Sequence, residues 1–273
     1  MKFRPWWLGV CIVVYSLCYA PNVAAYALKH TSGGKVVRWQ EGKTNVELRR
    51  SPELDELVAA GDAEVAASMA ADAWRGIGAA PQIVIGLESA PPYDPLRRQG
   101  GIYVLVPWPY EKDRVAVTVT SYYPTGQLVG LDILINGEVD FALLPELPSE
   151  EMPSYLRHKH DLAAVLTHEY GHVLGLDESE DDPTATMWPY IRAGETHQRT
   201  LSRDDEDGLV DLYAMHSTSQ VSTPATCHVS RIAAYAAIAA DGRWWLILAV
   251  LALLRTYRVG ICVRSARDGA LKR

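Results

Sequence analysis

Two histidines four residues apart, with a glutamate directly after the first, occur in the segment His168-Glu169-Tyr170-Gly171-His172. Residues four apart on an α-helix lie on one face, so His168 and His172 can both bind a single metal ion. Glu169 lies about 100° around the helix from His168, beside such a metal rather than on it. A general base for a metal-activated water is needed in that position. The spacing therefore predicts a hydrolytic metal site on a helix.

A third metal ligand is expected on the chain that follows this helix. Gly175 comes three residues after His172, where a helix can end and the chain can turn back. The turn would bring Glu178 towards the metal, and two histidines with one glutamate form a known catalytic zinc set. A carboxylate leaves less net positive charge on zinc than an imidazole, so the activated water should be less acidic. Asp177 is the alternative ligand, and a different or missing third ligand, with His197 the only nearby downstream histidine, stays open.

The segment 185–190, with the sequence ATMWPY, places Met187 at the distance expected for a turn beneath a zinc site. Together with the histidine helix, it resembles the metzincin signature HExxHxxGxxH with its Met-turn, and among metzincins it looks most like the matrixins. Segment 126–136 is similar to the strand upstream of the matrixin zinc helix, and segment 201–213 is similar to the matrixin C-terminal helix. The resemblance covers roughly residues 35–214.

The resemblance implies an α+β, metzincin-like fold: a twisted mixed β-sheet with two long helices, a zinc cleft and a small C-terminal helical subdomain. It implies one catalytic Zn²⁺, held by His168, His172 and Glu178, with Glu169 as general base and Met187 as the floor of the site. It also implies a pocket wall for the residue after the scissile bond, formed by Trp188, Pro189 and Tyr190. In matrixins the aspartate pair that matches Asp204 and Asp205 ties down the surrounding chain.

The sequence departs from the matrixin pattern at two points. Glu178 stands where the pattern has its third histidine. A matrixin is usually held latent by a cysteine in a propeptide, and no cysteine lies between Cys18 and Cys227. Latency, if the protein needs it, must therefore come from another mechanism.

Hydrophobic periodicity predicts the elements that position these residues. Apolar residues at helical spacing, bounded by capping residues or glycine, predict three helices at 62–75, 161–174 and 202–214. Short β-branched runs between glycine, proline and asparagine predict strands at 35–40, 46–48, 83–87, 102–108, 115–120 and 131–135. An extended substrate would add as a strand to the sheet edge, formed by either 131–135 or 115–120.

Composition excludes several other classes of protein. The 273 residues are 48% apolar and carry a formal net charge of −7, so the chain can bury a sizeable core and is a poor partner for nucleic acid. With its four cysteines confined to the terminal regions, the central region is neither a disulfide scaffold nor a cysteine-ligated metal site. Its chemistry must come from His, Asp, Glu, Ser or Tyr.

The two ends of the chain predict export and surface attachment. A basic start followed by about 15 mostly apolar residues indicates a signal peptide at 1–27, with an uncleaved membrane anchor as the alternative. The peptidase domain then spans 28–216, and a Ser/Thr-rich linker spans 217–230. An apolar and then basic tail at 231–273 indicates a membrane anchor or sorting signal, against the alternative of a packed C-terminal helix.

The sequence therefore predicts a secreted or envelope-anchored zinc endopeptidase, monomeric, acting on protein or peptide substrates. The acidic stretch 178–182 adds a candidate structural Ca²⁺ site, against the simpler reading of a solvated loop. The competing hypothesis is a non-catalytic surface module that keeps the metzincin fold and the metal. The glutamate at 178 supports it, and the intact Glu169 opposes it, because a binding module has no need for a general base.

Overall fold

A computed structural model describes residues 26–147 and 151–214, all of which belong to one compact unit. The strands are short, and the longest helix is the one that carries the two histidines. In chain order the elements are β1 (Ala27–Leu28), β2 (Asn45–Arg50), α1 (Pro52–Leu57), α2 (Asp62–Ala73), β3 (Gln82–Ile85), β4 (Gly101–Leu105), β5 (Ala116–Tyr122), β6 (Leu128–Asn136), β7 (Phe141–Ala142), β8 (His160–Asp161), α3 (Leu162–Leu174), β9 (Leu176–Asp177), a 3₁₀ turn (His197–Arg199) and α4 (Arg203–Ala214).

The centre of the fold is a five-stranded mixed sheet in the order β3-β2-β4-β6-β5. Four strands run parallel, and β5 pairs antiparallel with β6. Within the described residues, β5 is an edge strand, whereas β6 is paired on both sides. Segment 115–120 therefore lies at an edge of the sheet, and segment 131–135 does not. The mixed sheet with long helices confirms the α+β expectation.

Side-chain alternation along the strands separates two apolar clusters. Ile102 on β4 and Ala116 on β5 lie in the main core, beside the helices α2 and α3. Tyr103 on β4 and Val117 on β5 belong to a smaller cluster with Trp108 and Leu134. Because side chains alternate between the faces of a strand, every second residue of β5 points towards the helices. This parity places Thr118, two residues after Ala116, on the same face as the histidine helix.

Local sequence explains the limits of α3. Asp161 caps its start, where the side chain accepts a hydrogen bond from the N–H of Ala164 at 2.8 Å. Gly175 ends it in the left-handed conformation, with φ 104°, a region that favours glycine. The carbonyl of Val37 lies 2.6 Å from where a Cβ at Gly175 would stand, so a side chain there would also collide with backbone. Both boundaries match the predicted helix.

Other predictions need correction. Segment 35–40 is not a strand, because only the single bridges His30–Val36 and Arg38–Gln127 form there. The sequence also gave no signal for α1 or for the two-residue strands β1, β7, β8 and β9, which are fixed by tertiary pairing. Among residues 26–147 and 151–214, no helix has the length and apolar character needed to cross a bilayer.

The predicted signal peptide and the C-terminal tail fall mostly outside the described residues. Two residues of the predicted signal are exceptions. Ala27 pairs with Asp177 across β1 and β9, and the backbone N–H of Tyr26 donates to Asp204 at 2.9 Å. Cleavage after residue 27 would remove both contacts.

Candidate metal centre and active site

Helix α3 brings His168 and His172 together on one face, as their spacing predicts. Their ring centroids are 4.9 Å apart, and the ring planes are nearly perpendicular at 85°. His168 is 4% exposed, and His172 is half-buried at the cleft. The His168 ring is therefore shielded from water, while the His172 ring faces the cleft.

A backbone carbonyl orients each imidazole. Nδ1 of His168 lies 2.7 Å from the carbonyl oxygen of Thr186, and Nδ1 of His172 lies 3.0 Å from that of Leu176. A carbonyl oxygen only accepts, so each Nδ1 carries the proton and donates. Each Nε2 then keeps a lone pair, and its direction is fixed by the hydrogen bond on the other side of the ring.

Burial also keeps both histidines in the form that binds metals. Loss of solvation lowers the pKa of His168, and the neighbouring His172 lowers it further. Burial lowers the pKa of His172 as well. Both imidazoles are therefore neutral near pH 7, and a neutral imidazole is the ligand form.

The third member of the group is Glu178, which directly follows β9. One ligand atom from each of His168, His172 and Glu178 lies within 4.8 Å of the others. Two imidazole nitrogens and one carboxylate oxygen are donors that fit catalytic zinc. The two alternatives lie outside this group: Asp177 is an exposed residue of β9, and His197 is paired with Glu195 at 3.7 Å.

Glu169 lies beside this group, almost completely buried at 4% exposure. Burial raises the pKa of its carboxyl, while His168 and a hydrogen bond from Thr118 lower it. The Thr118 hydroxyl on β5 donates to Oε2 of Glu169 at 2.5 Å. The edge strand thus holds the carboxylate in one orientation.

The segment around Met187 closes the buried side of the site. Met187 is 2% exposed and packs under α3, where a Cβ at Gly171 would overlap its sulfur. Asp205 accepts hydrogen bonds from the backbone N–H groups of Thr186 and Met187, at 2.8 and 3.0 Å. Gln198 donates to the Thr186 carbonyl at 3.2 Å. Asp205 therefore ties down the same segment that orients His168.

The three residues and Glu169 open into a cleft of about 800 Å³. One side is formed by residues 115–118, at and just before the start of β5. Pro189 and Tyr190 line the cleft, as expected for a pocket wall. Trp188 is not among the lining residues; its ring contacts that of Tyr190, with centroids 5.8 Å apart.

Comparison with known families agrees with this geometry. The matrixin family model matches residues 62–214, which is more than half of the chain and contains every residue of the site. The chain belongs to the matrixin family. This is a family of zinc-dependent metallopeptidases.

Individual matrixins match over shorter stretches. Human (Homo sapiens) neutrophil collagenase is 36% identical over 86 residues, which is 30% of this chain and 18% of that protein. Matrix metalloproteinase-16 of Rattus norvegicus is 44% identical over 54 residues, covering 20% of this chain and 9% of that protein. Human matrilysin is 43% identical over 54 residues, covering 20% of each. This matrixin thus matches a fifth or less of the length of each relative.

Three polar residues near the site belong to no sequence motif and are not predicted from the sequence. Thr118 contacts Glu169, Gln198 contacts Thr186, and Arg114 donates to Oε1 of Glu178 at 3.2 Å. The one available signal is strand alternation, which places Thr118 on the helix side of β5. Arg114 and Gln198 lie in connecting segments, where sequence patterns carry no such information.

Proposed function

We propose that this matrixin is a zinc-dependent endopeptidase that hydrolyses internal peptide bonds of extracellular or envelope proteins. The observation that carries the proposal is the convergence of His168, His172 and Glu178 beside a buried Glu169, at a cleft bordered by an edge strand. Metal ligands alone do not distinguish a hydrolytic site from a structural or storage site. A buried carboxylate next to them, held by Thr118, is what hydrolysis requires.

The residues divide the chemistry between them. Zinc, when bound, supplies Lewis-acid chemistry that polarises the substrate carbonyl and acidifies a water molecule. Glu169 takes a proton from the attacking water as the water oxygen bonds to the carbonyl carbon of the substrate. Glu169 then passes that proton to the amide nitrogen as the C–N bond breaks. Burial raises the pKa of Glu169, which makes the carboxylate a stronger base for the first transfer.

Strand β5 provides the surface for an extended substrate. An edge strand offers unpaired backbone N–H and C=O groups, and a peptide can pair with them as an additional strand. The first residues of β5 line the cleft directly beside Glu169. Pro189 and Tyr190 would then contact the residue after the scissile bond.

The location of the protein is part of the same proposal. The apolar start at 1–27 supports export, and the apolar and basic tail at 231–273 supports attachment to the envelope. We expect a monomeric enzyme. A structural Ca²⁺ in the stretch 178–182 stays a prediction.

A non-catalytic zinc-binding module is the competing function, because Glu178 replaces the third histidine of the pattern. The carboxylate of Glu169 argues against it. Burying a carboxyl group is costly, and a module that only binds has no use for one beside the metal. Zinc content and peptide cleavage by the same preparation separate the two functions.

The decisive variant is Glu169→Gln in the full chain. It keeps the shape of the side chain but removes the base, so zinc content and folding should persist while turnover falls by about a hundredfold or more. The same change at Glu180, an exposed residue of the cleft, is the matched control and should keep most turnover. Cleavage of a mixed peptide library, with and without chelator, measures both. Wild-type turnover by Glu169→Gln would exclude the proposed base.

A further inference from the structure

Glu178 has a charged partner within the cleft. Nη1 of Arg114 donates to Oε1 of Glu178 at 3.2 Å, across 64 residues of sequence. The backbone of Arg114 is held in place, because its carbonyl oxygen accepts a hydrogen bond at 3.1 Å from the side chain of the buried Asn136 on β6. The contact therefore connects the sheet to the chain that follows α3.

This partner appears beside the one residue that departs from the matrixin pattern. Three neutral histidines leave the full double positive charge of zinc at the site, whereas a glutamate reduces it by one. The guanidinium of Arg114 lies next to that glutamate, and its Nε also pairs with Oε2 of Glu111 at 3.6 Å. A carboxylate has two oxygens with several lone pairs, so Glu178 can accept from Arg114 and still offer an oxygen to a metal.

Glu178 also needs more positioning than the histidines do. His168 and His172 lie on a helix and are oriented by carbonyls, whereas Glu178 has a flexible side chain that is 31% exposed. Ordering such a side chain on a metal costs conformational entropy. A hydrogen bond that holds the carboxylate in place before zinc binds reduces this cost.

We propose that Arg114 is a positioning residue that orients the Glu178 carboxylate for zinc. The proposal rests on the proposed function, in that Glu178 must be a zinc ligand. It assigns the cleft a coupled pair: a glutamate in place of histidine, and an arginine that orients it. The other arginine of the cleft, Arg192, pairs with Glu195 at 3.9 Å instead.

A double-mutant cycle in the full chain tests the proposal, with zinc affinity measured by competition against a chelator. Arg114→Ala should weaken zinc binding about tenfold or more, within the range for lost partners of a metal ligand. Arg114→Lys keeps the charge but loses the planar donor geometry, so its zinc affinity should lie between those of wild type and Arg114→Ala. In a Glu178→His background, Arg114→Ala should cause no loss, because an imidazole bound to zinc does not accept a hydrogen bond from Arg114. Arg192→Gln is the matched control for removal of a cleft charge.

The outcomes separate this proposal from the ligand assignment. If Glu178→Ala leaves zinc affinity unchanged, the proposed ligand set fails, and the role of Arg114 fails with it. If Glu178→Ala weakens binding while Arg114→Ala changes it less than twofold or strengthens it, Glu178 stays a ligand and Arg114 is not its positioning residue. An equal loss from Arg114→Ala in both backgrounds, or from Arg192→Gln, also overturns the proposal. Unfolding of the zinc-free variants, followed by circular dichroism, checks that each is folded.

Discussion

The two sides of the metal centre are built from different interactions. On the inner side, backbone carbonyls orient the histidines, and buried residues such as Asp205 and Gln198 hold one of those carbonyl segments. On the outer side, Glu178 meets Arg114 in a partly exposed ion pair. The inner side depends on burial and on satisfied hydrogen bonds, and the outer side depends on charge. The departure from the matrixin pattern lies on the outer side, where the residue is partly exposed and outside the core.

Asp205→Ala should break the inner side and give the largest effect. Asp205 is 1% exposed and accepts from the backbone N–H groups of Thr186, Met187 and Ser202. Its loss leaves these buried donors unpaired, which should lower the unfolding free energy by about 3–5 kcal/mol. Asp207→Ala, at an exposed residue of the same helix, should change it by less than about 0.5 kcal/mol. Urea unfolding of the zinc-free proteins measures both, and equal effects would contradict the comparison.

Glu178→Ala should break the outer side with a smaller effect on the fold. Loss of a ligand should lower zinc affinity by more than about a hundredfold, while the zinc-free domain stays nearly as stable as wild type. Glu178→His should retain zinc and move the rising limb of the pH–rate profile to lower pH, because the site gains one positive charge. Asp177→Ala should do much less. If Asp177→Ala or His197→Ala weakens zinc binding and Glu178→Ala does not, the ligand assignment is wrong.

The pH dependence of stability should sharpen the comparison further. Burial lowers the pKa values of His168 and His172, so between those values and about 6.5 the unfolded state binds more protons than the folded one. The zinc-free protein should therefore lose stability as the pH falls below about 6.5. Glu169 acts in the opposite direction: its raised pKa adds stability at low pH, which is lost as the pH rises above about 4.5.

Glu169→Gln separates these two contributions. Removing the carboxyl should make the loss of stability on acidification steeper than in wild type, because only the histidines then titrate at the site. Urea unfolding at pH 7.5, 6.5 and 5.5 compares the two proteins. A shallower loss in Glu169→Gln would show that the pKa of Glu169 is not raised in the folded protein.

The smallest effect is expected at Tyr26. This residue directly precedes β1, the strand that pairs with β9 just before Glu178. Its hydroxyl donates to Asp211, and this hydrogen bond, together with burial, raises the pKa of Tyr26 to about 12. Tyr26→Phe should lower the unfolding free energy by only about 0.5 kcal/mol at pH 7, since the contact is largely exposed. The folded protein keeps the phenol proton longer than the unfolded chain, so wild-type stability falls as the pH rises from about 10 towards 12. Burial also raises the pKa values of other tyrosines, among them Tyr103 and Tyr213, so thermal unfolding between pH 9 and 11 should show a steeper fall in wild type than in Tyr26→Phe.

The sequence predicts the inner half of the site better than the outer half. His168, Glu169 and His172 share one helix, so the helical period alone fixes their relation, and Gly175 marks where the helix ends. The contacts of Thr118 with Glu169 and of Arg114 with Glu178 join residues 51 and 64 positions apart. Such pairs follow from the packing of β5 against α3, which no local pattern encodes.

The fold shows the same limit. The apolar run at 131–135 and the first three residues of the run at 83–87 are strands, because their β-branched residues bury against the helices on at least one face, whereas Leu87 lies beyond the end of β3 and is exposed. The run at 35–40 has similar residues but meets a partner only at single bridges, so composition predicted a strand that pairing does not complete. The position of a strand in the sheet is equally hard to predict from sequence: no residue pattern in segments 115–120 and 131–135 indicates which of the two is the edge strand.

The absent side chain at Gly171 has a consequence for engineering and evolution. By helix propensity, a glycine inside a helix is about 1 kcal/mol worse than alanine, so this position looks like an easy site for stabilisation. Here the vacant space is already filled by the Met187 sulfur, and Trp74 lies 3.0 Å from where the new carbon would stand. Alanine at 171 would force the buried Met187 side chain to move, next to the residue whose carbonyl orients His168, so packing would be disturbed. A larger residue at 171 would therefore need a smaller side chain at 187.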